Sequence, residues 1–307
     1  MIQITNEQIL KTAMMQSAID MNCNADDFLL DKNKVVISKE NANARRYLKL
    51  PFATNLVSYG NNIVASCSPE LCAIVEEYIS SFVWYHCFET PNMHVLSQKL
   101  RPLGFDVCFM AEYWLPDMNK LFSETESGKK SFTTKILVPC DFQNLYVDEW
   151  SNALCADRKN LDVLAVAAFD SDSQKLVGLA GCSADCDTMW QIGIDVLPDF
   201  RRKGIASTLT RELAKETLLR GKIPFYCCAW SNIVSARNAI NYFRLTYVKN
   251  STTQPTLQHK FHSSYSKKDI FRLQLFLQTS RNILHFQLHK ELFRQLSCLC
   301  ALQNPLS

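Results

Sequence analysis

A basic turn at residues 201–206, Arg-Arg-Lys-Gly-Ile-Ala, separates two apolar segments of the chain. The segment before it, Met189–Val196, is predicted as a strand, and the segment after it is predicted as a helix that ends before Gly221. A turn in this place directs backbone N–H groups and the positive end of the helix dipole toward one point. Gly204 leaves the main chain bare for a ligand oxygen. The pattern therefore predicts a phosphate-binding loop.

Two common nucleotide-binding loops and a metal centre are not supported. The chain contains neither G-x-x-x-x-G-K-[ST] nor G-x-G-x-x-G, so the sequence favours neither a nucleotide triphosphatase nor a dinucleotide dehydrogenase. Its thirteen cysteines are scattered from Cys23 to Cys300 without a C-x-x-C pair or a Cys/His spacing suited to zinc. Reduced, buried thiols and no metal are therefore expected.

The elements around this loop alternate between strand and helix, which predicts an α/β fold. Up to residue 111 the predicted elements are a helix at Asn6–Ile19, strands at Lys34–Ser38 and Asn61–Cys67, helices at Pro69–Ile79 and His94–Leu103, and a strand at Phe105–Ala111. After residue 131 they are strands at Thr133–Val138, Asp162–Phe169, Lys175–Cys182, Met189–Val196 and Ile223–Trp230, with helices at Phe142–Leu154, after the basic turn and at Asn232–Phe243, and a further strand at Leu245–Val248. Several antiparallel strands precede the crossover, so the predicted sheet is mixed and mostly antiparallel.

Composition predicts three segments. Residues 120–131 are polar and contain a glycine, as linkers do, so a boundary is placed between residues 125 and 126. Residues 1–125 form an N-terminal α/β domain and residues 126–250 carry the basic turn. Residues 251–307 hold seven basic and two acidic residues, a net charge of +5, and their apolar spacing predicts one or two basic helices. The basic residues of this tail are not clustered, which does not favour nucleic-acid binding.

The whole chain has the composition of a globular protein with a sizeable core. It is 47% hydrophobic and 21% charged, with a formal net charge of +3, which excludes a disordered or collagen-like chain. The first residues lack the apolar core of a signal peptide, and no stretch approaches the roughly 20 apolar residues of a membrane span. A cytoplasmic protein without a membrane partner is expected.

The basic turn resembles the acetyl-CoA signature of the GCN5-related N-acetyltransferase (GNAT) family, Q/R-x-x-G-x-G/A. Arg201, Gly204 and Ala206 fill its three fixed positions. Asn232 and Ser235 follow the next predicted strand, where the family commonly has an asparagine and a small residue that open its fourth helix. The resemblance covers roughly residues 133–250 and implies a GNAT-type sheet flanked by helices.

The resemblance also implies a cofactor site and a reaction. The strand before the loop would splay from its neighbour, and the pantetheine arm of acetyl-CoA would lie in the resulting cleft. Backbone N–H groups of 202–206 (Arg202, Lys203, Gly204, Ile205, Ala206), with the charge of Arg201, would hold the pyrophosphate. A main-chain N–H around Val196 would face the thioester carbonyl while a primary amine attacks it directly. Asn232 and Ser235 would contact the pantetheine or the 3′-phosphate end, and no metal is needed.

The sequence departs from the family at the positions of the catalytic acid and the general base. Members often carry a tyrosine seven residues after the asparagine, but this position is Ala239; Tyr242 is the nearby candidate for the catalytic acid, with packing as the alternative. The position of a glutamate base in some relatives falls at Trp190. Asp185 and Asp187 are expected to be solvated in a turn. An N-acetyltransferase acting on a small-molecule or peptide amine is therefore predicted, with a non-catalytic CoA-binding regulatory module as the alternative.

The N-terminal segment has two interpretations. Its helix after Asn92 and the following Gly104-Phe105 are similar to the end of the family's last helix, which suggests a degenerate acetyltransferase-like half. The same segment lacks a counterpart of the phosphate loop, so an unrelated α/β cap is the alternative.

Overall fold

A computed structural model describes residues 4–46, 50–123 and 130–253. All of them lie in one compact unit, Met1–Gln258. The helices predicted in the tail lie outside the described residues. Within the described ranges, no helix is long and apolar enough to cross a membrane.

Ten strands of the described chain form one mixed sheet with the order β1-β3-β2-β10-β4-β9-β8-β7-β6-β5. Strands β1/β3 and β8/β9 pair in parallel, and the other neighbours are antiparallel. This confirms the predicted mixed, mostly antiparallel α/β sheet. The strands are β1 Lys34–Ile37, β2 Thr54–Ser58, β3 Val64–Cys67, β4 Asp106–Pro116, β5 Phe132–Leu137, β6 Asp162–Asp170, β7 Leu176–Ser183, β8 Met189–Val196, β9 Ile223–Ala229 and β10 Phe243–Thr253.

Helices cover both faces of the sheet. They are α1 Asn6–Met21, α2 Cys72–Ser81, α3 Thr90–Leu100, α4 Met118–Phe122, α5 Ile205–Leu219 and α6 Ile233–Ala239. The apolar side of α5 (Ile205, Leu209, Leu213) packs on β6, β7 and β8. On the other face α1 packs against residues of β2, β4 and β9, so the core consists of layers above and below one sheet.

The predicted boundary between residues 125 and 126 lies inside this sheet. Strand β4, which precedes the boundary, lies between β9 and β10, which follow it. The segments 1–125 and 126–250 therefore share backbone hydrogen bonds along both edges of β4. Their division into separate domains, and the N-terminal segment as a degenerate half, stay predictions.

The helix predicted at Phe142–Leu154 is wrong. Short 3-10 turns occur there instead, at Gln143–Leu145 and Asp148–Trp150. The backbone N–H groups of Asn152 and Ala153 donate to the carboxylate of Asp195, from β8. A helix would need these donors for its own carbonyls, so a distant side chain replaces local hydrogen bonds.

Two further features differ from the sequence predictions: the presence of strand β2 and the end of the last helix. Strand β2 was not expected, because its buried residues include Thr54, Asn55 and Ser58, which hide the apolar pattern of a strand. The last helix ends at Ala239 instead of Phe243, and the chain enters β10 directly after a turn in which Tyr242 N–H donates to Ala239 O.

Two glycines in β7 and β8 allow another segment of main chain to approach the sheet closely. A Cβ at Gly181 would collide with the carbonyl oxygen of Ala153, and a Cβ at Gly193 would collide with that of Asn152. Segment 151–154 thus lies directly on the sheet, which only glycine permits at these positions.

Replacing Gly193 by alanine is expected to lower the free energy of unfolding by about 2 kcal/mol, because the main chain of Asn152 must move. Urea unfolding measures the change. G178A is the comparison: its Cβ would meet the Cγ2 methyl of buried Ile205 at 2.7 Å, so it should also lower stability, but by less, because a side chain moves more readily than main chain. Equal losses in the two variants would contradict the close main-chain contact.

Candidate functional site

The turn between β8 and α5 exposes its backbone. A 3-10 turn, Pro198–Phe200, leads into Arg202 with φ 66° and Gly204 with φ 78°, both in the left-handed region. Gly204 is the N-cap of α5 and no side-chain hydrogen bond caps the helix. A Cβ at Gly204 would meet no atom within 4 Å. The start of this long helix therefore opens onto free space, with its N–H groups available to an anion.

The basic side chains of this turn lie around that opening. Arg201, Arg202 and Lys203 are all exposed. Arg201 Nε donates to the carbonyl oxygen of Val196 at 3.1 Å, and Lys203 Nζ lies 4.7 Å from the ring centroid of Phe200. The predicted loop residues are thus brought together, and the loop is tied to the end of β8.

Strands β8 and β9 separate beside this loop. Their parallel pairing runs from Met189 with Ile223 to Ile192 with Tyr226. Beyond that pair, β8 continues along β7 as far as Val196, whereas β9 continues along β4 as far as Ala229. A gap consequently opens between the carboxyl-terminal ends of β8 and β9.

The main chain of β8 faces this gap at alternate residues. Leu197 N–H donates to Val177 O of β7, and successive N–H groups of a strand point to opposite edges. The regular register of β7 with β8 therefore places the N–H groups of Val196 and Ile194 on the edge toward β9. The Val196 N–H, which the resemblance predicts to face the thioester carbonyl, thus lies on the open edge of β8.

The start of α6 lies at the other side of the gap, after β9. Asn232 Oδ1 accepts a hydrogen bond from Ser235 N–H at 3.2 Å. Ser235 Oγ lies 2.8 Å from the hydroxyl oxygen of Tyr226. Burial raises the pKa of Tyr226. Asn232 and Ser235, predicted together from the sequence, are thus in contact, while Tyr226 was missed because an apolar strand gave no sign of a polar role.

Helices α5 and α6 are joined by polar contacts near the same place. Asn238 Nδ2 donates to Thr210 Oγ1 at 2.8 Å, and Asn241 Nδ2 donates to Ser207 Oγ at 3.3 Å. The hydroxyl of Ser207 in turn donates to that of Tyr242 at 3.4 Å. Tyr242 therefore lies beside the first turn of α5, with the Arg211 guanidinium 5.7 Å from its ring centroid.

Ala239 and Trp190, the two positions at which the chain departs from the GNAT pattern, pack into the core beneath α5 and α6. Ala239 is fully buried, and Trp190 is partly buried against the same cluster. Neither side chain supplies an acid or a base, so the departures seen in the sequence persist in the structure.

Residues 148–155 cover the face of β8 that is opposite α5, and the carboxylate of Asp195 on β8 holds them there. Asp195 accepts hydrogen bonds from the N–H groups of Asn152 and Ala153, both at 2.9 Å, and from Asn152 Nδ2 at 2.6 Å. Burial raises the pKa of Asp195, against the opposing effect of these hydrogen bonds. Gly193 and Asp195 are two residues apart and lie on the same face of β8. This pattern is the sequence signal from which the contact could have been predicted.

The other end of the same segment is held by Asp162. Its carboxylate accepts the N–H of Cys155 at 2.9 Å and a hydrogen bond from Tyr146. Asp162 is buried, and burial raises its pKa from 3.8 to about 6. The half-buried Asp195 and the buried Asp162 therefore fix the segment that packs behind β8.

The expectation for the turn after β7 is half wrong. Asp187 is exposed and pairs with Arg46 at 2.7 Å, but Asp185 is only 1% exposed. Arg46 N–H donates to the carbonyl oxygen of Asp185 at 2.9 Å. The segment around Arg46 covers the turn, and a contact so distant in sequence leaves no local signal.

A buried ionic cluster beneath α1 was also missed. Arg45 and Asp20 form a salt bridge at 3.0 Å with both side chains 1% exposed, and Arg45 donates to the hydroxyl of Tyr247 at 3.1 Å. Burial lowers the pKa of the neighbouring Lys249 to about 8. Charged residues are rarely buried unless paired, so composition predicts them at the surface.

No group of three or more His, Cys, Asp or Glu side chains in the described part of the chain is placed to hold a metal ion.

Comparison with known proteins supports the resemblance. Residues 132–245 match the acetyltransferase (GNAT) family. This domain belongs to the GNAT acetyltransferases. The match begins at β5 and ends in β10, and it includes the loop, the separated strands and α6. The matched domain indicates a transferase, and acetyl-CoA is the usual acetyl donor of that family.

Solved structures with the GNAT fold match about half of the chain. They include a GCN5-related N-acetyltransferase-like protein from Streptococcus suis, with 18% identity, a TM-score of 0.41, and 53% of this chain and 68% of that chain covered. A GCN5-related N-acetyltransferase from Kribbella flavida has 13% identity, a TM-score of 0.40 and coverages of 54% and 64%. A GNAT acetyltransferase from Colwellia psychrerythraea has 15% identity, a TM-score of 0.35 and coverages of 53% and 63%. A search of curated proteins gives no match.

Replacing Asp162 by asparagine is expected to flatten the pH dependence of stability between about pH 4 and pH 6. The pKa of this carboxyl is raised in the folded protein, to about 6, so the folded state binds more protons than the unfolded state in this window. Stability gained from this group therefore increases as the pH falls, by at most about 1.4 kcal/mol per pH unit. Urea unfolding across the window tests this, with the exposed Asp157→Asn as control; unchanged slopes in D162N would contradict it.

Proposed function

We propose that this chain transfers an acetyl group from acetyl-CoA to a primary amine of a small molecule or peptide. The observation that carries the proposal is the gap between β8 and β9, which opens beside the exposed start of α5. Both features belong to the part of the chain that matches the GNAT family.

The loop supplies a fitting site for a pyrophosphate. The residues Arg202, Lys203, Gly204, Ile205 and Ala206 would donate their backbone N–H groups, which the left-handed turn and the uncapped helix leave exposed. The exposed guanidinium groups and Lys203 add positive charge without a metal ion. Open space at Gly204 lets a phosphate oxygen approach the main chain.

The two sides of the gap would hold the arm that carries the acetyl group. Asn232 and Ser235, at the start of α6, would bind pantetheine polar groups from the β9 side. Arg201 would keep the end of β8 in place through its bond to Val196 O. The Val196 N–H, on the open edge of β8, would donate to the acetyl carbonyl oxygen as negative charge develops there.

Acetyl-CoA supplies a thioester, whose carbonyl carbon is the electrophile. The amine nitrogen forms a bond to that carbon, the carbon–sulfur bond breaks, and its electron pair passes to sulfur. The proton lost by the amine passes to water, since Trp190 occupies the position at which some relatives have a carboxylate. In this scheme the chain acts mainly by positioning and by electrostatic stabilisation of the carbonyl oxygen.

Tyr242 stays the predicted acid. Its hydroxyl lies beside the first turn of α5 through Ser207, on the helix whose N-terminus would bind the pyrophosphate. A second candidate function, a non-catalytic CoA-binding module, is favoured by the buried alanine at position 239. Binding of acetyl-CoA without transfer to any of a panel of primary amines would select the module.

Replacing Gly204 by glutamate is expected to reduce acetyl-CoA affinity at least tenfold in calorimetric titration. A carboxylate would then stand where the phosphate binds, and a left-handed residue other than glycine costs about 1–2 kcal/mol.

Gly221→Glu is the matched control for this variant. Gly221 follows the other end of α5 with φ 70°, and a Cβ there would also meet no atom within 4 Å. G221E carries the same strain and charge but should bind acetyl-CoA like the parent. Absence of binding by the folded parent, or equal binding by G204E, would refute the proposed cofactor site.

Replacing Tyr242 by phenylalanine is expected to lower kcat at least about tenfold with KM for acetyl-CoA nearly unchanged, if its hydroxyl protonates the leaving sulfur. Product formation with an accepted amine, followed by chromatography, measures this. A kcat equal to that of the parent would assign Tyr242 to packing.

A further inference from the structure

The end of β8 carries the Val196 N–H on an edge that no neighbouring strand of the described chain covers. Pairing of β8 with β9 ends at Ile192 and Tyr226, so beyond this pair β8 is in register with β7 alone. A peptide that is paired on one edge can shift out of the plane of the sheet, whereas a donor that stabilises a developing charge must stay fixed. Contacts on the two faces of β8 are therefore needed to fix this N–H.

Val196 is fixed on the α5 face and along the open edge. Its side chain packs against the cluster beneath α5. The Cγ2 atoms of Val196 and Ile205 lie 3.5 and 2.7 Å from the position that a Cβ at Gly178 would take, so the side chain fits beside the first turn of α5. On the edge, Arg201 Nε donates to Val196 O at 3.1 Å. The opposite face of the strand needs a contact of its own.

Asp195 supplies the contact on the opposite face. Its carboxylate accepts hydrogen bonds from the N–H groups of Asn152 and Ala153, both at 2.9 Å, and from Asn152 Nδ2 at 2.6 Å. These donors belong to segment 151–154, which lies directly on the sheet. Asp195 and Val196 share one peptide bond, so the Val196 N–H moves with the residue that the carboxylate holds.

The negative charge of Asp195 would by itself oppose negative charge on a carbonyl oxygen nearby. Three N–H donors face this carboxylate, however, and the guanidinium of Arg201 adds positive charge close to it. The carboxylate is therefore balanced on the face of β8 away from α5. What Asp195 contributes at the open edge is the position of the neighbouring peptide.

We propose that Asp195 is a positioning residue of the transfer reaction, because its carboxylate fixes the peptide whose N–H, that of Val196, donates to the thioester carbonyl. This inference rests on the proposed function, which assigns that N–H to the carbonyl oxygen. Asp195 touches neither the cofactor nor the acceptor and acts through Val196. Removal of the carboxylate leaves the loop at 201–206 in place, so it should weaken the hydrogen bond to the carbonyl more than the binding of acetyl-CoA.

The test measures the infrared stretching band of acetyl-CoA that is isotope-labelled at its carbonyl carbon and bound to the full chain. In the parent this band should lie at lower frequency than in free acetyl-CoA, because a donor at the oxygen polarises the carbonyl bond. D195A should lose at least half of this shift, while the affinity measured by calorimetry changes by less than about threefold. D195N should lose a smaller part, since its amide oxygen can still accept a main-chain N–H.

Asp162→Ala is the matched control. Asp162 accepts the N–H of Cys155 at 2.9 Å, at the other end of the same segment, but it begins β6, two strands away from β8. D162A should therefore loosen the segment and keep the parental band.

Three results with the bound cofactor would overturn this inference and leave the cofactor site intact: a full parental shift in D195A or D195N, an equal loss of the shift in D162A, or an unshifted band in the parent. Absence of acetyl-CoA binding to the folded parent would overturn both this inference and the proposed function.

Discussion

The site depends on how the central strands of the sheet pair: beyond their short shared register, β8 stays paired with β7 and β9 stays paired with β4. Strand β7 stays in register with β8 up to Val196, and β4 stays in register with β9 up to Ala229. The two central strands pair with each other only as far as Ile192 and Tyr226. Backbone polar groups in a sheet are normally satisfied by neighbours, so an open edge in the centre of the sheet is a place where a ligand can supply the missing partner.

The elements on both sides of this opening are held in place by contacts with one another and with the sheet. Helix α5 follows β8 and α6 follows β9, and Asn238 joins the two helices through Thr210. Behind β8, Asp195 holds the backbone of segment 151–154 against two glycines. Strand β4, which belongs to the N-terminal segment, holds β9. The N-terminal segment therefore helps to build the site by holding a strand, even though the predicted cofactor contacts all come from residues 196–235.

The local parts of the site could be predicted from sequence, because their signals are local. The basic turn with Gly204, the periodicity of α5 and the asparagine before α6 each occupy a few consecutive residues. The segment after Phe142 could not be predicted, since its backbone donors are bound by Asp195 and Asp162 from later strands. The polar residues of β2 and the buried Arg45 likewise take their positions from partners distant in sequence. The separation of β8 from β9 followed only from the family resemblance, because it results from pairing with β4.

Hydrogen–deuterium exchange of the full chain, with and without saturating acetyl-CoA, tests most directly whether the open edge of β8 and the turn after it form one cofactor site. We expect slower exchange with acetyl-CoA bound at the amides of Ile194 and Val196 and through residues 202–206. Amides of β5 and β6, which lie at the far edge of the sheet, should exchange at the same rate in both conditions. Unchanged exchange along β8 and the turn at saturation, or protection confined to other elements, would contradict it.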